Sequence, residues 1–282
     1  MRPNPFQETY EIRYNVSREY LKGRGVEIGG GLYPSTLPGD CTCEHFDVRN
    51  RAELAQLFGA AEDDVGIVHP MEELHSRFPA TADFLIAHNV LEHCPDPIGA
   101  LIHWHRCLRD GGIAVLSIPD ADFDQVPDFG RLVPPVEHLL CDHLLRRDEK
   151  SFETKEHTYS CALGLGWVNY GNEGKLDKVE LAKKVHRVAR APYNLLHFHA
   201  FNEALLKQTL LCGAVLGGHK LTLERTANYN TAPVRTKGDC IYIYRVYAQP
   251  EVPSPANPLR AAAEEFATRL GTFVHDTVAL QL

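Results

Sequence analysis

The 282-residue sequence lacks several features, and each absence narrows what the chain can be. It has no run of about 18 apolar residues, the length a membrane-spanning helix needs, so no membrane partner is expected. Its opening residues, MRPNPFQETYEIRY, lack the apolar core of a secretory signal, which predicts a cytoplasmic protein. Positive charge is not in surplus: Lys+Arg 29 against Asp+Glu 37 gives a formal charge of −8. Such a balance recruits neither nucleic acid nor an anionic surface, and it suits a small neutral or cationic partner. The eight cysteines lack zinc-site spacing; only Cys41 and Cys43 lie close, and all are read as buried thiols. Internal repeats are absent, and a chain of this length with 44% hydrophobic residues predicts one domain with additions.

What is present is an alternation of strand and helix patterns. Residues 6–22 read as an amphipathic lead-in helix carrying Phe6, Tyr10 and Leu21, within a lead-in segment 1–22. Short apolar runs at 26–28, 43–48, 65–69, 83–88 and 113–120 read as strands. Helices are expected at 51–59, near Met71–Phe78 and at 97–112. Residues 121–199 break the pattern with a polar, histidine-bearing stretch too long for a passive connection, which suggests a substrate-binding insert or lid. A helix at 202–214 and strands at 220–227 and 240–247 follow. A proline-rich linker at 251–258 leads to a helix at 259–282, which either packs on the domain or forms a homodimer. The whole predicts an α/β, Rossmann-like, doubly wound sheet of seven mostly parallel strands, spanning 23–250, with ligands bound outside the strand ends.

Gly29-Gly30-Gly31 follows the first strand directly, and Asp47 ends the second. A glycine turn lets backbone N–H groups approach a ligand, and an acid at the second strand end suits a ribose diol. The third glycine of a dinucleotide turn is missing, because Pro34 stands there. With Pro34 and Pro38 before Cys43, no helix of useful length fits, so a pyrophosphate would lack its usual seat. A nucleoside without phosphate and with an amino-acid tail needs no such seat, and S-adenosylmethionine is one. The blander alternatives are a plain tight turn for the glycines and a helix cap for Asp47.

A second cluster completes the pattern: Asn89-Val90-Leu91-Glu92-His93, Asp96-Pro97, Arg109-Asp110-Gly111-Gly112 and Ser117-Ile118-Pro119-Asp120. Taken with Glu27 to Gly31 and Asp47, the order and spacing resemble the class I S-adenosylmethionine-dependent methyltransferases over residues 20–120, with 220–247 similar to the reversed hairpin that closes their sheets, the final strand reversed. The resemblance implies S-adenosylmethionine as cofactor. Gly29, Gly30 and Gly31 would contact its methionine end, Glu27 its ammonium or a water, and Asp47 its ribose. Val48 and Met71 would pack on the adenine, with Glu72 near its amino group, while His88 and Asn89 would lie under the sulfonium and His93 would line the cofactor site. The insert is similar to a bacterial subgroup associated with cell-surface polysaccharide clusters. That likeness rests on Asp124, Arg131, Glu137-His138, Asp142 and His199 and implies a sugar-type acceptor.

Methyl transfer to a hydroxyl needs alignment and a base, and imidazole is the natural base near neutral pH. His138 and His199, with Asp120 to orient one of them, are the catalytic candidates. Asp124, Arg131, His143, His157 and His197 are the acceptor-binding ones. Tyr159, Trp167, Tyr170 and Tyr193 suit a ring-bearing acceptor, sugar or sugar nucleotide. Glu92 and His93 offer a metal alternative resembling the E-x-x-E-H turn of some methyltransferases, but Asn89 in the first position removes one charged ligand, so no metal is expected. His103 and His105, two apart on a helix, point in different directions and do not form a ligand pair. Competing readings are a metal-assisted or secondary-metabolite enzyme and a catalytically inactive binding subunit of the same fold.

Overall fold

A computed structural model describes residues 7–123, 128–147, 197–228 and 238–249, together with the positions 182, 183, 230 and 236. Seven strands form one sheet: β1 Arg24–Ile28, β2 Thr42–Asp47, β3 Val68–Pro70, β4 Ala82–His88, β5 Leu108–Pro119, β6 His219–Ala227 and β7 Asp239–Ala248. Their order is β3-β2-β1-β4-β5-β7-β6, parallel throughout except for β7, which runs antiparallel to both β5 and β6. This is the Rossmann-like arrangement expected, with its reversed final strand. The strand order turns back between β1 and β4, and their carboxyl ends are where such a sheet binds ligands.

β4 and β5 are almost continuously apolar because both of their faces are covered. On one face Leu85, Ala87, Leu116, Ile118 and Tyr242 meet α4 Pro97–His105 and α6 Glu203–Gly217. On the other, Phe84, Ile86, Val115 and Ile243 meet Val16 of α1 Gln7–Ser17. α2 Arg51–Phe58 is set locally by a reciprocal Asn50–Glu53 capping box and closes on Gly59 in the left-handed region. The short α3 Leu74–Arg77 follows β3.

Four expectations are corrected. The lead-in helix stops at Ser17; Leu21 lies beyond it and is buried, while the helix itself buries Arg13 against Asp239 at the start of β7 (Nη2 to Oδ2 2.7 Å). The helix expected to reach residue 112 ends at His105, because Leu108 pairs with Ala82 and Ile113 with Phe84, leaving Arg109–Gly112 as a bulge in β5. Within the insert, α5 Val136–Leu144 is a regular helix whose Leu139 is fully buried in the main core. Of the cysteines, Cys107 and Cys240 are buried, whereas Cys41, Cys43, Cys94, Cys141 and Cys212 are partly exposed thiols. Asp124, His157, Tyr159, Trp167, Tyr170, Tyr193, Cys161, the linker 251–258 and the helix at 259–282 lie outside the described residues. Among the described residues no helix is long and apolar enough to cross a membrane.

Candidate active site

The glycine turn forms as the end of β1 meets the end of β2, with Gly29 N–H donating to Phe46 C=O at 2.9 Å. Gly29 (φ 70°) and Gly31 (φ 54°) occupy the left-handed region, and a Cβ on Gly29 would lie 2.6 Å from Val90 Cγ2. On Gly30 a Cβ would meet the Glu27 carboxylate at 3.1 Å. Val90, Glu27 and Phe58 press against the three glycines where side chains would grow, so the turn at the end of β1 stays bare backbone. From Gly31 to Cys41 no helix forms, as Pro34 and Pro38 require.

Glu27 is buried, and its carboxylate accepts the Ser35 N–H (3.1 Å) and Oγ–H (2.7 Å), with His45 Nδ1 at 3.1 Å. It braces the loop, with Ser35 and His45 taking up part of its hydrogen-bonding capacity. Asp47, 8% exposed at the tip of β2, accepts the Arg49 N–H at 3.0 Å, and burial raises its carboxyl above the ordinary value. Next to it Val48 is 73% exposed, an apolar face open to a ring. Met71 is half-buried against the core and Glu72 is exposed, both just after β3. The acid, the exposed valine and the bare glycine turn fit a nucleoside with an amino-acid tail.

His88 ends β4 on the α1 face, with Nδ1 2.9 Å from Ser117 Oγ, and burial holds its pKa well below the ordinary imidazole value. It is neutral and faces α1, where Tyr10, Arg13 and Tyr14 close over it around a void of about 10 Å³. Such a void holds about one water, so a ligand must lie outside the strand ends and not beneath α1. Asn89 takes the left-handed region (φ 54°), and its Oδ1 accepts Ser117 Oγ–H at 3.4 Å.

The segment 197–201 crosses the carboxyl ends of β4 and β5: Phe198 N–H donates to Glu92 C=O at 2.8 Å and Ala121 N–H to Phe201 C=O at 2.7 Å. It brings two histidine–carboxylate groups to the top of the sheet. In the first, the Asp142 Oδ2 atom takes His199 Nε2 at 2.9 Å and His138 Nε2 at 3.3 Å. His199 is 1% exposed, and burial outweighs Asp142 to lower its pKa. In the second, Asp128, wholly buried, holds His197 Nδ1 at 2.7 Å and Arg131 Nη1 at 2.5 Å. Burial pulls the His197 pKa down, but the Asp128 hydrogen bond and charge win and raise it. Glu92 lies beside this group with 0% exposure, and burial pushes its carboxyl up to about 7.

Other predicted residues go elsewhere. Among the described residues Asp120 reaches no histidine: its Oδ1 accepts Asp122 N–H (3.1 Å) and its Oδ2 accepts Cys240 Sγ–H (3.1 Å), because the reversed β7 brings Cys240 alongside. Arg131 is turned inward, its side chain 4% exposed, locking Asp128 and Phe198 C=O, so it holds the insert and does not face an acceptor. His143 pairs with Asp96 at 2.9 Å on the rim of a separate cavity of about 490 Å³ beside α4. His103 and His105 do point apart, the first to His75 and the second to Tyr244. Missed by sequence reasoning were Ser35, His45 and Asp128; of these only Asp128 carried a local signal, its i,i+3 spacing to Arg131.

Residues 21–157 match the family described as a methyltransferase domain. Among solved structures, the CurJ carbon methyltransferase is 12% identical with a TM-score of 0.39, over 80% of this chain and 49% of its own. This chain thus spans about half the length of that protein. An S-adenosylmethionine-dependent methyltransferase from Clostridium acetobutylicum is 8% identical (TM-score 0.44, 87% of this chain, 94% of its own), and one from Thermotoga maritima is 15% identical (TM-score 0.40, 85% and 92%). These likenesses are too distant to carry an argument about the reaction. No curated protein matches the chain significantly. Residues 21–157 thus carry a methyltransferase domain that spans the glycine turn, Asp47 and the Glu92–His93 turn, and together with the sheet order this supports a class I S-adenosylmethionine-dependent methyltransferase.

Proposed function

We propose that the chain methylates a hydroxyl of a small polar acceptor of the sugar class, in the cytoplasm. The observation that carries the hydroxyl reading is the His138–Asp142–His199 group beside the ends of β4 and β5. Amine acceptors bring their own lone pair, whereas a hydroxyl must give up a proton as it attacks, and an imidazole held by a carboxylate serves that need. The sugar class rests on the likeness of the insert to polysaccharide-cluster methyltransferases.

When bound, the cofactor supplies a methyl carbon on a sulfonium, open to in-line displacement. Gly29 and Gly30 would hold its amino-acid end through bare backbone, Asp47 its ribose and Val48 its ring. His138 is the base in this reading, because its side chain is 35% exposed while that of His199 is 1%. A base must come within about 2.6–3.2 Å of the proton it takes, which a sealed imidazole cannot do. Asp142 can only accept, so its place beside His138 orients that ring through Nε2. His199 braces Asp142 from behind and fixes the orientation.

Incubating the protein and S-adenosylmethionine with a panel of sugars and sugar nucleotides should yield, by mass spectrometry, a product one methyl heavier. His138→Ala should lower kcat by roughly 10²–10⁴-fold, the contribution of a general base, with cofactor affinity unchanged. An unchanged kcat removes His138 as the base, and methylation of amines in place of hydroxyls overturns the acceptor class.

A further inference from the structure

Glu92 sits in the short turn after β4, packed beneath the 197–201 segment, with 0% exposure. Neither carboxylate oxygen meets a hydrogen-bond donor among the described residues. A buried carboxylate left in this way costs several kcal/mol unless it is neutralised or coordinates a cation. What faces it is not a hydrogen-bond donor network but two imidazoles: His93 and His197 stand with ring centroids 4.7 Å apart at 87°. One donor atom from each of Glu92, His93 and His197 lies within 4.8 Å of the others. Tetrahedral zinc holds its ligands about 3.3 Å apart, as follows from metal–ligand distances near 2.0–2.2 Å, so small side-chain rotations close the set.

We infer that Glu92, His93 and His197 form a binding site for a divalent transition cation of the zinc class. The hydrogen bond between His197 Nδ1 and Asp128, itself clamped by Arg131, directs the His197 Nε2 lone pair to the ion. Metal-bound histidines are characteristically held by a carboxylate in this way. Two imidazoles and one carboxylate suit zinc, iron(II) or manganese and not magnesium or calcium, which prefer oxygen ligands throughout. Three protein ligands leave a position open for a water or for an oxygen of a bound molecule. The other two candidate groups differ in the decisive respect. The Asp142 oxygen is shared between two imidazoles, and the Glu27 carboxylate already accepts from Ser35. His197, the third donor, comes from more than 100 residues downstream of His93.

The test requires no methyl acceptor and stands apart from the assignment of the reaction. The full chain, stripped with a chelator and titrated calorimetrically with zinc sulfate against a competing chelator, should bind one ion per chain. Glu92→Gln should lose at least 100-fold in affinity, and Asp128→Asn about 10–100-fold, the usual effect of an outer partner. Both variants are checked for fold by circular dichroism. Equal zinc affinity in wild type and Glu92→Gln overturns the site. Should Glu92→Gln fail to fold, the cobalt(II) spectrum of the wild-type chain decides. Tetrahedral d–d bands without a thiolate charge-transfer band that vanish in His93→Ala uphold it, and bands unchanged in that variant, a thiolate band or no tetrahedral spectrum sink it.

Discussion

At the scale of single residues, Asp47 carries opposing demands. Its carboxyl is buried and its pKa is raised, so the ionised form costs the free protein stability. Burial outweighs the Arg49 guanidinium 3.5 Å away, so the sign is the reverse of that for an acid with a depressed pKa: the penalty is absent below the unfolded value of about 3.9 and fully present above the raised folded value. Replacing it by Asn should leave the melting temperature of the ligand-free protein unchanged or higher while weakening S-adenosylmethionine at least about tenfold, or about 1.4 kcal/mol. Calorimetric titration together with a thermal melt reads both; an unaltered affinity would show that the ribose lies elsewhere. The positions of Asp47 and the glycines were legible because a strand end and a glycine turn are set by neighbours in sequence. The bracing role of Glu27 was not legible, because its partner Ser35 comes from the far side of a loop whose path no local pattern specifies.

At the scale of elements, α4 and β7 are joined by His105, 1% exposed, whose Nε2 lies 2.9 Å from the Tyr244 hydroxyl. Burial pushes its pKa down to about 3, so it folds neutral. The unfolded chain takes up that proton first, and the stability present above about pH 6.5 is lost as pH falls toward the folded value, by at most about 1.4 kcal/mol per unit. Urea unfolding measured between pH 7 and 4 should show this slope, and His105→Gln, which can still bond Tyr244 but does not titrate, should make it shallower. An identical slope would place the acid sensitivity elsewhere, for instance at His88. That His103 and His105 diverge could be read from helical spacing; that His105 faces Tyr244 could not, because β7 reaches α4 only through the sheet order. The same non-local pairing converted the expected last turn of α4 into the bulge of β5.

At the scale of the molecule, the sheet offers one crevice, where its strand order turns back, and the turn there favours a phosphate-free nucleoside. S-adenosylmethionine at about 100 times its dissociation constant should stabilise the fold by about 2.7 kcal/mol. For a domain of this size that is a rise of roughly 5–10 °C in melting temperature. NAD at the same concentration should give none; a shift with NAD and not with S-adenosylmethionine would reverse the cofactor assignment.

The sequence by itself determined the alternation of strands and helices, the glycine turn, the acid at the end of β2 and the exclusion of a helix after the turn. These depend on period, spacing and the fixed φ of proline, which act over a few residues. Only the tertiary structure decided which histidines meet which carboxylates. His197 and His199 come from the far end of the insert, His138 from the helix in its first part and His93 from before it, and the crossing of segment 197–201 over β4 and β5 is what unites them. Contacts between residues so distant along the chain are settled by the packing of whole elements, which no local window of sequence contains.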